Sequence, residues 1–182
     1  MTAAFSDNYR FLARYNRWIN QRLYDASETL SDEQRKLDRG AFFGSLHHTL
    51  NHLVVADQIW LRRFVQCGLD HGATLDSLNA GVLDLPDGSG LGTVLFDDWQ
   101  ALRAKRGQLD AAIEAWVAGM PEGYPQFTMR YSNSKGVQRA HPARQAMTHF
   151  FNHQTHHRGQ ATTLLTQAGV DIGVTDLIAL VR

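Results

Sequence analysis

The chain has 182 residues, 43% of them apolar and 20% charged, the profile of an ordinary globular protein long enough to bury a core. Eighteen basic residues balance eighteen acidic ones, so the basic excess or stripe of a nucleic-acid binder is missing. The single cysteine, Cys67, excludes an internal disulfide and suits a reducing cytoplasm. No apolar run approaches a membrane span, and residues 1–10 lack the pattern of an export signal. The expectation is one domain over residues 1–182, cytoplasmic, with neither a nucleic acid nor a membrane as partner.

Residues 5–27 read as a first helix, because Phe5, Tyr9, Leu12, Ile19 and Leu23 recur at helical spacing. Asn16 and Asn20 lie within it, where a bundle helix would leave them solvated or capping a neighbour. Ser31-Asp32-Glu33 resembles a helix start, but the polar residues after it allow only a short helix. A second long helix is expected over residues 42–67, with Leu46, Leu50, Leu53, Trp60, Leu61 and Phe64 on its apolar face and Gly68 as its stop. Residues 69–92, rich in Gly, Asp and Ser, form a long connection that frees the next helix from an up-down order. Residues 91–118 read as the third helix, with Leu95, Trp99, Leu102, Leu109, Ile113 and Trp116 on one stripe and Arg103, Lys105 and Arg106 on its solvated face.

Between residues 119 and 142 the period shortens. Phe127, Met129 and Tyr131 alternate with polar residues, and Asn133-Ser134-Lys135-Gly136 has turn chemistry, so a small β-hairpin returning over residues 137–140 is expected. Pro142 then opens a fourth helix that ends at Gly169. A short last helix over residues 175–181 would pack Leu177, Ile178 and Leu180 back on the bundle. The fold class is therefore all-α: a four-helix bundle with a long crossover and one hairpin before the last long helix.

Four of the nine histidines fall between His149 and Gln160. His149, His153 and His157 follow at i, i+4 and i+8, one above another on a helix, and an i, i+4 pair of imidazoles can reach one ion. A second cluster, His47, His48 and His52, lies on the second helix; His48 and His52 are themselves i, i+4, and sequence alone does not fix which points inward. Asp57 and Gln58 are candidates to hydrogen-bond the far nitrogen of a ligand imidazole, or are simply solvated. Imidazoles drawn from two helices, with no thiolate and no obvious fourth ligand, have the character of an open catalytic site rather than a closed structural one.

Three stretches carry a family resemblance: Tyr15-Asn16-x-Trp18-x-Asn20, then the run from Thr49 through Asn51-His52 to Asp57-Gln58-Ile59-Trp60, then Phe151-Asn152-His153-x-Thr155-His156-His157-Arg158-Gly159-Gln160. Together with Gln167-Ala168-Gly169 and Val174-Thr175-Asp176-Leu177, they resemble the DinB family of damage-inducible, stress-response proteins, which is unrelated to the DNA polymerase of the same name. The resemblance implies a four-helix bundle, frequent homodimers, and a divalent metal on three histidines. Matched position by position, these are His52, His153 and His157. The metal would be zinc or nickel first, with iron or manganese next. His48, His149, His156 and Asp57 are then candidates for the substrate pocket. Relatives with known chemistry use a low-molecular-weight thiol, so the expected function is a metal-dependent enzyme. It would activate such a thiol, or water, for transfer to or hydrolysis of a small-molecule substrate. The competing expectation is a stress-induced metal-binding or scaffold protein without turnover. Arg158 would orient an anionic group or pack at the helix end, and Cys67 reads as a structural thiol.

Overall fold

The computed structural model describes residues 2–181, with side chains from Ser6 onward. The first-helix position of Phe5 is therefore outside the described side chains. Helix α1 spans Thr2–Glu28, α2 Asp32–Lys36, α3 Leu46–Asp70, α4 Trp99–Ala118 and α5 Ala143–Gln167. An antiparallel hairpin, β1 Thr128–Ser132 with β2 Gln138–Pro142, precedes α5. The long helices α1, α3, α4 and α5 make the bundle. Helix α1 packs on α4 and α5, and α3 packs on α5 and α4, so α1 and α3 occupy opposite corners. This is the all-α architecture that the periodicities predict, and no helix among the described residues is long and apolar enough to cross a membrane.

Each helix buries one stripe at three- and four-residue intervals. On α1 the stripe is Tyr9, Ala13, Asn16, Asn20 and Leu23, and on α5 it is Met147, Phe150, Gln154, His157, Ala161 and Leu164. Phe64 of α3 stacks on Trp116 of α4 with ring centroids 4.8 Å apart and meets Phe150 of α5 edge-on, tying three helices at the apolar end of the core.

The helix boundaries are set by caps. Helix α3 begins at Leu46, later than expected, because Gly44 takes a left-handed φ of 73° and closes a turn on Ala41. The Ser45 side chain then accepts from the His48 amide at 3.1 Å. Ser31 and Gln34 form a reciprocal capping box on α2, the short helix that the Ser-Asp-Glu start predicts.

Helix α4 begins at Trp99 rather than at residue 91, capped by Asp98, whose carboxylate accepts from the Ala101 amide at 2.8 Å. The preceding segment, residues 91–97, crosses α3 as an irregular strap that leaves a turn at Leu91 and Gly92. Asn51 holds it, donating to the Phe96 carbonyl at 3.1 Å and accepting from the Phe96 amide at 2.9 Å. His47 Nε2 donates to the same carbonyl at 2.8 Å. A backbone whose groups are satisfied by α3 side chains has no need of helical hydrogen bonds.

Three further expectations are corrected. Lys105 and Arg106 are buried, not solvated: the crossover of residues 71–98 covers Lys105, and Arg106 points into the bundle core towards α3. Lys105 donates to the Val82 carbonyl and pairs with Asp84; Arg106 pairs with Asp57 at 2.6 Å and Asp110 at 3.0 Å. Asn16 and Asn20 are likewise buried, donating to Asp110 at 3.1 and 2.9 Å. The C-terminal segment forms only a 3-10 turn, Leu177–Leu180, with Ile178 69% exposed. Polar bonds hold this segment instead: Tyr15 donates to the Thr175 carbonyl at 2.7 Å and Arg22 to that of Ile172 at 2.8 Å.

Candidate metal centre

His52 projects from α3 towards α5, where His153 and His157 lie one turn apart, and the imidazoles meet between the two helices. His157 Nε2 lies 3.2 Å from His52 Nε2 and 3.1 Å from His153 Nε2. All three rings bring a ligand-type nitrogen within 4.8 Å of the others. Among the described residues no other three His, Cys, Asp or Glu side chains converge in this way.

The far nitrogens decide what those contacts are. His52 Nδ1 lies 2.8 Å from the Leu91 carbonyl oxygen, which can only accept, so the ring proton sits on Nδ1. His157 Nδ1 faces Gln160 Oε1 at 2.8 Å and is a donor by the same reasoning. Both Nε2 atoms are then lone-pair donors pointed at one another with no proton between them. Burial keeps the rings from escaping by protonation. It lowers the pKa of His52 and His157, and together with the neighbouring imidazoles His157 and His52 it pulls His153 down to about 3. A shared cation resolves the conflict. Tetrahedral coordination at 2.0–2.1 Å sets nitrogens about 3.3 Å apart, close to the separations seen. The residues present therefore fit a divalent metal.

The surroundings hold the trio rigidly. Phe43, from the turn before α3, stacks on the His52 ring with centroids 4.0 Å apart and reaches His157 at 5.6 Å. Beneath, Gln154 donates to Asp57 at 2.8 Å, joining α5 to α3 a few residues from the ligating positions. The helix register that presents His153 and His157 to His52 is thus fixed by a buried polar bond as well as by packing.

A cavity of about 520 Å³ adjoins the histidines, with His153, Leu91, Trp60 and the hairpin in its wall. Of the four pocket candidates, His149 lines it, 4.9 Å from Trp60 and 5.7 Å from His153 between ring centroids. The other three do not. His48 is exposed and turned back to the Phe43 carbonyl. His156 is exposed beside Gln160, because it follows the inward stripe by two positions. Asp57 is buried against Arg106 and Gln154, so neither it nor Gln58 supports an imidazole; the Leu91 carbonyl and Gln160 do. Arg158 is also committed to the core, donating to Asn16, Gln154 and Thr155.

Sequence reasoning missed the Leu91 carbonyl, which has no residue-type signature, and three cavity residues, Arg63, Tyr131 and His141. Arg63 was detectable in principle, one helical turn beyond Trp60 on the same face.

No solved structure matches the chain at a significant level. A curated relative, "Protein DinB" of Bacillus subtilis (strain 168), is 25% identical over 174 residues, covering 91% of this chain and 88% of that protein. The profile of the DinB family matches residues 5–181. With that match running through all four bundle helices and both histidine segments, the chain belongs to the DinB family.

Proposed function

We propose that the protein is a metal-dependent enzyme acting on a small molecule, with His52, His153 and His157 as the ligands of a divalent transition metal, zinc or nickel before iron or manganese. The observation that carries this reading is the 3.2 Å Nε2–Nε2 contact of His52 and His157, two rings whose other nitrogens are occupied as donors, with His153 Nε2 3.1 Å from His157 and a cavity large enough for a substrate beside them. Three imidazoles leave a coordination position free, which a purely structural centre would fill with a fourth side chain. When bound, the cation supplies the Lewis acidity that turns a low-molecular-weight thiol or water into a nucleophile near neutral pH.

The protein's own groups do the rest. The Leu91 carbonyl and Gln160 keep His52 and His157 in the tautomer that presents Nε2, and raise their basicity. Phe43 shields one side of His52 from water. His149 stands in the cavity wall one turn before His153, where it can hold or pass a proton on a bound substrate. The reaction classes that fit are transfer of the thiol to an electrophilic carbon and hydrolysis.

Elemental analysis of protein purified without an affinity tag tests the centre. The expected result is about one equivalent of a transition metal per chain, lost in His52→Ala, His153→Ala and His157→Ala and kept in His48→Ala and His156→Ala. Wild-type protein that holds no metal and takes up neither zinc nor nickel on titration would refute the proposal.

A further inference from the structure

The cavity beside the histidines has a chemical character of its own. Its wall carries one permanent charge, that of Arg63, and no acidic side chain. Arg63 is half-buried, with its guanidinium 4.7 Å from the Trp60 ring centroid and 4.6 Å from that of Tyr131. One nitrogen donates to the Ser132 carbonyl at 3.1 Å. Two ring faces and one carbonyl hold a planar cation in a fixed plane without neutralising it. Burial lowers its pKa, so an anion arriving in the cavity is favoured twice, by direct pairing and by relief of the desolvated cation.

Among the basic side chains of the packed helices around it, Arg62 donates to the Leu83 and Leu85 carbonyls, and Arg106 and Arg158 lie in the core. The rest of the wall combines aromatic rings with the aliphatic side chains of Ala56, Ile59, Leu91 and Ala146. The Trp60 ring meets Tyr131 at 5.3 Å and His149 at 4.9 Å, giving an aromatic surface that runs from Arg63 towards His153. Asn133 and Ser134, from the hairpin turn, add neutral polar groups at the rim.

We propose that this cavity selects a small carboxylate with an apolar body, its anionic end paired with the Arg63 guanidinium, its body against Trp60, Tyr131 and His149, and its far end directed at His153. Only the role of that far end as the reacting group rests on the metal-dependent reading above. A single guanidinium matches the charge of a monoanion, whereas the wall holds no second permanent cation to balance a dianionic phosphate. A cation is repelled, and a neutral ligand of the same shape forgoes the pairing.

Binding of trans-cinnamate and of its uncharged amide to the zinc-treated full chain tests this, by calorimetry and by the ¹⁵N shifts of the four tryptophan indoles. The expected result is at least ~10-fold tighter binding of the carboxylate. The Trp60 signal should move while those of Trp18, Trp99 and Trp116 stay in place. Arg63→Gln should abolish the preference, and Arg63→Lys should keep part of it. Equal affinity for acid and amide, a preference that survives Arg63→Gln, or no binding of either probe would overturn the inference. Metal content is read separately on each sample. Anion selectivity in protein that takes up no metal upholds the anion site and refutes the metal centre, whereas one equivalent of metal with no anion selectivity does the reverse.

Discussion

Replacing Arg106 with methionine keeps the volume of the side chain and removes the charge that holds two carboxylates inside the bundle. The guanidinium lies 2.6 Å from Asp57 and 3.0 Å from Asp110, and none of the three residues is more than 3% exposed. At an effective dielectric constant of about 20, each contact has a gross attraction of roughly 4 kcal/mol. Relief of the guanidinium's own desolvation offsets part of that, and the expected net loss for a broken buried pair is about 3–5 kcal/mol at pH 8. A domain stabilised by about 5–15 kcal/mol would remain folded with much of its margin gone. The size of the loss should depend on pH. Burial already pushes Asp110 up to about 6 against the pull of Arg106, and without the arginine it rises further. A carboxylate whose pKa is raised on folding favours the native state below its unfolded value, and that contribution is lost as pH climbs through the folded value. The difference between variant and wild type should therefore shrink to about 1–2 kcal/mol at pH 5, where Asp110 takes up a proton.

Urea unfolding followed by circular dichroism at both pH values measures the difference. With m near 2 kcal/mol/M, the midpoint should fall by roughly 1.5–2.5 M at pH 8. The histidines are common to both proteins and cancel in the comparison. A loss below about 1 kcal/mol at pH 8, or one of the same size at pH 5, would refute the account of this cluster as a charge-balanced core.

Three other outcomes are expected. Gln160→Ala removes the acceptor of His157 Nδ1 and should weaken zinc binding about 10–100-fold in a competition titration, with circular dichroism unchanged. Asn51→Ala leaves the Phe96 amide without its acceptor and the Phe96 carbonyl with His47 alone and should cost about 1–3 kcal/mol in thermal or urea unfolding; equal stability would show that water replaces the side chain. In metal-free protein, His153 is held down to about 3 mainly by burial, so its contribution to stability is present above about pH 6.5 and is lost as pH falls towards 3. At pH 5 that amounts to about 1 kcal/mol after allowance for solvent screening of a partly exposed ring, and His153→Asn should flatten the stability profile between pH 7 and pH 5.

What the sequence made legible follows from which interactions leave a periodic trace. Helices α1, α3 and α5 and the hairpin repeat their apolar residues at the intervals of the structures they form. The inward histidines could be matched to positions through the family's motif. Spacing alone left His48 and His52 equivalent; the rotation of α3, set by the burial of Leu46, Leu50 and Leu53, turns His52 inward and leaves His48 exposed. Residues 91–97 mislead because Leu91 and Leu95 sit at helical spacing with the helix that follows. Their backbone is claimed by Asn51, His47 and His52, some forty positions away, and a pattern confined to neighbours cannot register that. Lys105 was assigned to water for the same reason, since the segment that covers it is irregular; Arg106 was assigned to water because its carboxylate partner, Asp57, lies on another helix.

The strap has a consequence for how the protein completes itself. Its Leu91 carbonyl orients the ring of His52, so the histidine centre is finished only when the crossover has docked on α3. A chain with helices formed but residues 91–97 adrift leaves that imidazole free to rotate and to exchange tautomers. By thermodynamic reciprocity, whatever tightens the cation's hold on His52 must also hold the strap closed by the same free energy. Metal uptake would thus act as a latch on the longest connection in the fold, and protease resistance within residues 71–98 would rise and fall with it.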